Sequence, residues 1–375
     1  MVVTHVTKSG KGLITKNIQI YNINTLDQLN EWCERASSSD FLSVDTEFKW
    51  EKTYWPQLCL IQVATPDSVA LVDPLSKMDL QPLSSLVTNS ARLQIFHAAQ
   101  QDLEVFELAG FENFTNLFDC QIAAALIGLG EQLGYGALVS KLLDIDLDKS
   151  QTRTDWTTRP LSAAQTNYAV NDVRYLKELY ELMEQELINL GRYQWLQEDC
   201  GRLHSAVSLQ KRCFTAWTKV KGFTSLRDEH LGNLASLANW RERLAQEKDL
   251  PRNWVLQDSQ LIELACHKPS DFRRLAKLLP GREAFLRQHG SSLIDAMTVD
   301  AANDWSDLSK PVALGSEERK WIKSKKVVIK ERAKELNLIP SILCSSSDLT
   351  SIARGEIPAR LSSGWRTQFL DGVLD

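Results

Sequence analysis

The chain has 375 residues, too many for one ordinary hydrophobic core, so its length predicts two or three domains. The seven cysteines are scattered and form no C-x-x-C pair, which argues against a zinc site or a disulfide framework. Neither a secretory signal nor an apolar run of about 18 residues is visible, so we expect a cytoplasmic protein with no membrane span. The net charge of −5 is unevenly divided: residues 1–200 carry 15 Lys and Arg against 27 Asp and Glu, and residues 201–375 carry 28 against 21. The basic second half is suited to binding a polyanion; the alternative is that both halves have ordinary solvated surfaces.

The first half alternates short predicted strands with helical stretches, which indicates an α/β domain with a mixed sheet over residues 18–200. Residues 1–17 form a polar leader whose composition is compatible with disorder. Strands are predicted at 17–21, 41–48, 58–65, 69–74 and 93–98. Helices are predicted at 26–37, at 100–108 and within 160–190.

The chain changes character near residue 200, after which short helices and polar turns dominate. A weak repeat matches RERLAQEKDLPRNWVLQDSQLIELA (241–265) with KERAKELNLIPSILCSSSDLTSIA (330–353), at a spacing of 88–89 residues that places Pro251 opposite Pro340. The repeat predicts two copies of a helical module, over 208–290 and 296–375, with a chance match of two helix–turn–helix segments as the alternative.

Four acidic residues stand in otherwise apolar stretches, where an unpartnered carboxylate is costly to bury. Asp45 and Glu47 lie two apart on a predicted strand and so point to the same face. Asp102 lies near the start of a predicted helix. Taken alone, a carboxylate at this position is explained equally well by compensation of the helix dipole. Tyr168 and Asp172 lie four apart on a predicted helix and share a face. Taken together, the four positions predict carboxylates that converge on a pair of divalent metal ions.

The segments that hold these residues are similar, in order, to those of a known family. VDTEF, FHAAQQDLEVF, FDCQIAAALIG and LDKSQTRTDWTTRPLSAAQTNYAVNDVRYLKELY resemble the DEDD family of metal-dependent 3′→5′ exonucleases, and within it the bacterial ribonuclease D group. The resemblance implies a ribonuclease H-like α/β exonuclease domain with a mixed sheet, followed by two all-α helical-bundle domains of the HRDC type. It also implies that Asp45, Glu47, Asp102 and Asp172 hold two Mg²⁺ or Mn²⁺ ions, and that Tyr168 marks the tyrosine branch.

Six further residues are predicted to contact substrate: Phe48, Tyr54, Gln62, Lys149, Trp156 and Arg159. The aromatic rings near the first motif suit stacking on terminal bases, although core packing is their ordinary role. Gln62 is a polar residue on a predicted buried strand. Lys149, Trp156 and Arg159 precede the motif that contains Tyr168 and Asp172, and they suit contacts with phosphates. Asp119 is predicted to cap a helix or to make a contact within the fold rather than to be a fifth ligand.

The resemblance implies hydrolysis at RNA 3′ ends with release of nucleoside 5′-monophosphates. We expect a monomer that acts on tRNA precursors and other small structured RNAs. A DNA 3′→5′ exonuclease is one alternative, because a preference for the 2′-hydroxyl cannot be read from these motifs. A catalytically inactive nucleic-acid-binding module is another, and the presence of all four carboxylates with Tyr168 argues against it. The basic stretch at 317–336 either binds RNA or is a solvated helix face.

Overall fold

The computed structural model describes residues 2–9, 12–205, 213–298, 305, 308–310 and 313–374, with the side chains of all of these except 2–17, 204–205 and 298. The described residues fall into two compact units. The first unit draws on Met1–Lys49, Leu58–Val207 and Gly315–Asp375, and the second on Trp50–Gln57 and Ser208–Leu314. Within the described ranges, every helix is too short or too polar to cross a membrane.

A seven-stranded mixed sheet forms the centre of the first unit. The sequence predicted a mixed sheet, with five of these strands. Its strands in chain order are β1 (Val2–Ser9), β2 (Gly12–Ile23), β3 (Phe41–Lys49), β4 (Gln57–Ala64), β5 (Ser68–Val72), β6 (Leu93–Phe96) and β7 (Leu117–Asp119). Their spatial order is β1-β2-β5-β4-β3-β6-β7. Strands β2 and β5, β3 and β6, and β6 and β7 pair in parallel, whereas β1 and β2, and β4 and β5, pair antiparallel.

Two strands differ from the sequence prediction. Strand β1 and the first part of β2 occupy the residues predicted as a polar leader, and they pair from Val2 opposite Gln19 to Ser9 opposite Gly12. The segment is rich in Val, Thr and Ile on both sides of S-G-K-G, which is a hairpin signal that outweighs its polar composition. Strand β7 has three residues, too few for a period-2 pattern to appear.

The described residues from 12 to 205 contain eight α-helices: α1 (Leu26–Ala36), α2 (Gln81–Val87), α3 (Gln100–Leu108), α4 (Cys120–Leu126), α5 (Tyr135–Leu143), α6 (Ala163–Arg174), α7 (Leu176–Asn189) and α8 (Tyr193–Ser205). Trp32 of α1 and Phe106 of α3 pack with Val44 of β3 in one buried core. Helix α6 lies against β3 and β5. Because the central strands are covered by helices, β4 can carry the nearly continuous apolar run CLIQVA.

The second unit is helical and holds one segment from earlier in the chain. Its helices are α9 (Leu231–Lys248), α10 (Arg252–Val255), α11 (Asp258–His267), α12 (Phe272–Leu278) and α13 (Glu283–Thr298). Leu237, Leu261 and Leu275 are fully buried in its core. The segment Trp50–Gln57 belongs to this unit, where Tyr54 packs on Ala245 and Val255.

The last helices pack within the first unit and repeat the local structure of the second. They are α14 (Ser316–Glu335), α15 (Pro340–Leu343), α16 (Ser346–Ala353), α17 (Ala359–Ser362) and α18 (Thr367–Leu370). Asp249 after α9 and Asn337 after α14 both adopt positive φ, 49° and 50°, which fixes the structural spacing at 88 residues. Pro251 and Pro340 are therefore one position out of register, and the pairing of these prolines in the sequence alignment is wrong. The domain limits at 18–200, 208–290 and 296–375 stay predictions.

Candidate metal centre

Strand β3 presents two carboxylates on one face because side chains alternate along a strand. Leu42 and Val44 point into the apolar core on the other face and are fully buried. Asp45 and Glu47 are half-buried, and one oxygen from each lies within 4.8 Å of the other and of one oxygen of Asp172. The structure thus brings together three of the four carboxylates predicted as metal ligands.

Helix α6 supplies Asp172 and Tyr168 from one face, as the i, i+4 spacing predicted. The helix begins at a capping box in which the N–H of Gln165 donates to Ser162 Oγ (3.1 Å) and the N–H of Ser162 donates to Gln165 Oε1 (3.0 Å). The Tyr168 hydroxyl hydrogen-bonds Asp172 and lies 3.4 Å from Thr152 Oγ1. The phenol is therefore fixed beside a carboxylate of the cluster.

Asp102 lies in the first turn of α3 and is 6% exposed. Thr46 Oγ1 donates a hydrogen bond to Asp102 Oδ1, which joins Asp102 to the residue between Asp45 and Glu47. Asp102 is outside the group of three mutually close carboxylates, but its charge acts on both β3 carboxylates. Sequence reasoning did not single out Thr46, because a threonine between two acidic residues on a strand carries no signal of its own.

Asp119 holds the start of α3, the helix that carries Asp102. Its carboxylate accepts the backbone N–H groups of Ala98 (3.2 Å) and Ala99 (2.8 Å) before α3. It also accepts those of Gln121 (2.7 Å) and Ile122 (3.2 Å), which caps α4. The predicted helix cap is thus observed together with a second contact within the fold, and Asp119 serves two helices at once.

Burial raises the pKa of all four carboxyls, and repulsion from the other members of the cluster adds to it for Asp45 and Glu47. Burial is the largest cause for Asp45, whose pKa lies well above its usual value, and charges on Asp102 and Asp172 add to it. Burial followed by repulsion from Asp172 raises the pKa of Glu47 to about 9. Burial raises the pKa of Asp102 and of Asp172 to about 7, against hydrogen bonds from Thr46 and Tyr168 respectively.

This donor set fits a divalent cation. Carboxylate oxygens are the ligands that hard cations such as Mg²⁺ and Mn²⁺ prefer, and a cation offsets the repulsion that raises these pKa values. The described salt bridges involve none of the four carboxylates, so no Lys, Arg or His in the described part of the chain supplies that positive charge through an ion pair.

Two of the six predicted substrate contacts are held by internal partners. One edge of the Arg159 guanidinium binds Asp73, because Nε and one Nη each donate to its carboxylate at 2.7 Å, so this side chain is already neutralised. The Tyr54 ring is 6% exposed, its hydroxyl donates to Glu242, and burial raises its pKa to about 12. Both side chains thus have partners within the fold, and their contacts with substrate stay predictions.

The other four predicted substrate contacts differ in burial and in their neighbours. Trp156 is buried with its ring centroid 5.9 Å from that of Tyr168, so it supports the phenol. Gln62 is fully buried on β4, and its amide atoms have no hydrogen-bond partner among the described residues. Phe48 is half-buried at the end of β3, and Lys149 is exposed, so both are accessible to a ligand.

Comparison with known families defines the class of protein. The family model described as "3'-5' exonuclease" matches residues 20–188, which contain β3, α3 and α6 with all four carboxylates. The family model "HRDC domain" matches residues 230–297, which contain α9–α13. The chain is thus a 3′→5′ exonuclease with an HRDC domain. The resemblance implied two such domains, and the second, over 296–375, stays a prediction.

Relatives that match this chain over nearly its full length narrow the class of protein to one family. Ribonuclease D of Jannaschia sp. is 38% identical over 366 residues, covering 93% of this chain and 92% of the relative. Ribonuclease D of Bartonella henselae is 36% identical over 337 residues, covering 88% and 82%. The crystal structure of Escherichia coli RNase D matches with a TM-score of 0.82 and 29% identity, covering 96% and 97%. The chain belongs to the ribonuclease D family.

Proposed function

We infer that this protein is a metal-dependent 3′→5′ exoribonuclease that releases nucleoside 5′-monophosphates from RNA ends. The observation that carries the inference is the convergence of carboxylates from β3 and α6 to within 4.8 Å, with Tyr168 hydrogen-bonded to one of them. Membership of the ribonuclease D family supports it, as does the full-length likeness to E. coli RNase D, which is described as "an exoribonuclease involved in structured RNA processing".

We propose that the carboxylates hold two Mg²⁺ or Mn²⁺ ions. Asp45, Glu47 and Asp172 form the first set of ligands, and Asp45 with Asp102 forms the second, with Thr46 orienting Asp102. Such ions supply Lewis acidity at the phosphate and at the attacking water. The donor set and the raised pKa values support this assignment, because ionised carboxylates at these positions require a compensating charge.

Tyr168 acts in this proposal as a positioning group: its hydroxyl proton is donated to Asp172, and its oxygen accepts a hydrogen bond from the attacking water. Burial, followed by the charge of Asp172, raises its pKa far above neutrality. The phenol is therefore protonated at physiological pH, so it orients the water through a hydrogen bond and does not act as a general base. Trp156 and Thr152 limit its movement from two sides.

The substrates we propose are tRNA precursors and other small structured RNAs, processed by a monomer in the cytoplasm. A 3′ tail that ends at a stem presents a natural stopping point for an enzyme that removes single nucleotides. The description of E. coli RNase D as an enzyme of structured RNA processing supports this class of substrate.

The test uses a 5′-labelled RNA hairpin with a short 3′ tail, with Mg²⁺ or Mn²⁺, EDTA and a matched DNA. We expect metal-dependent shortening from the 3′ end that is weak on DNA. Tyr168→Phe should lower kcat by about 10²-fold while metal binding persists, since the hydrogen bond that orients the water is lost. Equal digestion of the DNA indicates a DNA exonuclease. Binding without shortening under every metal indicates an inactive binding module, and either result overturns the proposal.

A further inference from the structure

A segment of 19 residues without helix or strand, 144–162, joins α5 to α6. Irregular connections longer than about 12–15 residues are uncommon in compact domains, and those that occur are usually functional. This α5–α6 segment ends at the capping box of α6, six residues before Tyr168, so its placement bears directly on the phenol beside the metal centre. Contacts at two points hold it against the sheet and against α6.

Arg159 forms the first of these points, and its five N–H donors meet five acceptors. Nε and Nη2 donate to the two oxygens of Asp73, each at 2.7 Å, and Nη2 also donates to Cys59 O at 2.5 Å. Nη1 donates to Trp156 O and to Thr158 O, each at 2.9 Å. Cys59 lies on β4 and Asp73 directly follows β5, so one side chain joins the segment to two strands. A contact between Arg159 and a phosphate would require one of these bonds to break.

Asp155 forms the second point. Its carboxylate lies 3.1 Å from Lys49 Nζ at the end of β3, and its carbonyl oxygen accepts from Gln165 Nε2 of α6 at 3.2 Å. The carboxylate also accepts the N–H of Thr157 at 3.0 Å and its hydroxyl at 2.6 Å. The segment is thus joined to β3 and to α6, the two elements that carry three of the proposed metal ligands.

Trp156 lies between these two points and is 3% exposed. Its ring centroid is 5.9 Å from that of Tyr168, and its indole N–H has no hydrogen-bond partner among the described residues. The ring is therefore located by packing and by its own backbone, which Arg159 holds at the carbonyl oxygen. Thr152, from the same segment, lies 3.4 Å from the Tyr168 hydroxyl. A displacement of the segment would move two of the groups that surround the phenol.

We propose that Arg159 and Asp73 are positioning residues for the exonuclease reaction, which act through Trp156 on Tyr168. The proposal rests on the exoribonuclease function and on the role of Tyr168 in orienting the attacking water. The two side chains are largely buried, at 26% and 17% exposed. A planar guanidinium that binds a carboxylate through two parallel N–H groups fixes an orientation that a single charge does not fix. In this role neither residue touches substrate or metal.

The test compares Arg159→Lys and Asp73→Asn with wild type in cleavage of a 5′-labelled RNA hairpin with a short 3′ tail and Mn²⁺. Lysine keeps the charge but loses the paired donors, and asparagine keeps the oxygen that accepts the N–H of Leu75. Each variant should lower kcat about tenfold, less than Tyr168→Phe does, because the phenol is displaced and not removed. KM, RNA affinity in EDTA and Mn²⁺ affinity should change by less than about twofold.

A cycle with Tyr168→Phe separates positioning of the phenol from a general effect on the fold. Arg159→Lys in the Tyr168→Phe background should lower kcat by less than about twofold, because the hydroxyl that it positions is absent. The matched control is Arg366→Lys in the same unit, since Arg366 also binds a carboxylate through two N–H groups, that of Asp199, and donates to a carbonyl oxygen, that of Ile342. The control should lower the melting temperature and leave kcat unchanged.

A loss of kcat in the Arg159 and Asp73 variants that disappears in the Tyr168→Phe background supports the positioning role. An equal further loss in that background, a similar loss in Arg366→Lys, or an unchanged kcat overturns it. A raised KM with weaker RNA binding and a smaller salt dependence also overturns it, and assigns Arg159 to a phosphate contact instead.

Hydrogen–deuterium exchange of the α5–α6 segment gives a readout that does not depend on cleavage. Its amides should exchange faster in Arg159→Lys than in wild type and at the wild-type rate in Arg366→Lys, and equal exchange in all three proteins contradicts the proposal. The two proposals fail in different ways. Wild-type protein that does not cut RNA overturns the nuclease, whereas wild-type protein that cuts, with kcat unchanged in Arg159→Lys, overturns only the positioning role.

Discussion

Glu47 and its three carboxylate neighbours raise the free energy of the folded protein when they are ionised without a cation. Each has a higher pKa in the folded state than an exposed carboxyl, so the folded state binds more protons and the free energy of unfolding falls as pH rises. This loss begins near pH 4 and continues to about pH 7 for Asp102 and Asp172 and to about pH 9 for Glu47. Metal binding to the ionised groups should therefore stabilise the protein more at pH 8 than at pH 5.

Asp45→Asn tests this at the most strongly shifted carboxyl. Without divalent metal at pH 8, we expect the variant to melt at a higher temperature than wild type, by about 2–4 °C for each 1 kcal/mol of repulsion that is relieved. The difference in melting temperature should be smaller at pH 5. With Mn²⁺, wild type should gain stability and the variant little. Thermal melts at both pH values measure this, with Asp27→Asn on the exposed face of α1 as the control. A destabilised variant at pH 8, or one that keeps the full Mn²⁺ effect, contradicts the assignment.

Helix α3 shows how a single side chain positions an element of the site. Asp119 accepts four backbone N–H groups, two before α3 and two at the start of α4, so it sets the place from which Asp102 projects. Ala98 has a φ of 61°, a conformation that is unfavourable for alanine and that its hydrogen bond to Asp119 helps to hold.

Asp119→Ala should lower the free energy of unfolding by about 2–4 kcal/mol, because a helix cap is lost and buried N–H groups lose their acceptor. It should also weaken Mn²⁺ binding, since Asp102 is no longer held. Urea unfolding and Mn²⁺ titration measure the two effects. Thr25→Ala removes the cap of α1, which carries no proposed ligand, and should affect stability alone. Unchanged Mn²⁺ affinity in Asp119→Ala would show that Asp119 is only a structural cap.

At the scale of the whole molecule, the C-terminal helices are part of the first unit rather than an appendage. Arg366 binds Asp199 of α8 through both oxygens, at 2.5 and 2.8 Å, and both side chains are largely buried. The Trp195 and Trp365 rings stack at 4.3 Å. Removing the C-terminal half would therefore strip α8 of partners, so such a truncation does not measure RNA affinity alone.

Arg366→Ala should lower the free energy of unfolding by about 2–3 kcal/mol, because the largely buried Asp199 loses its bidentate partner and keeps Arg202 at 3.1 Å and the Trp365 indole at 3.4 Å. The exposed pair of Arg332 with Glu335 provides the control, and Arg332→Ala should cost less than about 1 kcal/mol. Urea midpoints for the two variants measure the difference. Equal midpoints would mean that the contact between Arg366 and Asp199 contributes little in solution.

The sequence predicted the elements that carry the site because their patterns are local. Alternation on β3 placed Asp45 and Glu47 on one face, and the helical period placed Tyr168 and Asp172 on another. The same reasoning was wrong for the pairing of Pro251 with Pro340, where a match of residue types hid a shift of one position. The predicted roles of Tyr54 and Arg159 in substrate binding stay predictions, and both side chains have partners within the fold.

By itself, the sequence determined which side chains share a face, the order of the motifs and the existence of the repeat, since periodicity and spacing follow from backbone geometry alone. Only the tertiary structure decided that Asp172 meets Asp45 and Glu47 within 4.8 Å, that Thr46 binds Asp102, and that Asp73 neutralises Arg159. These partners are 86 to 127 positions apart, except for Thr46 and Asp102 at 56. No local pattern encodes such contacts, because they depend on how the sheet orders its strands and which helices cover them.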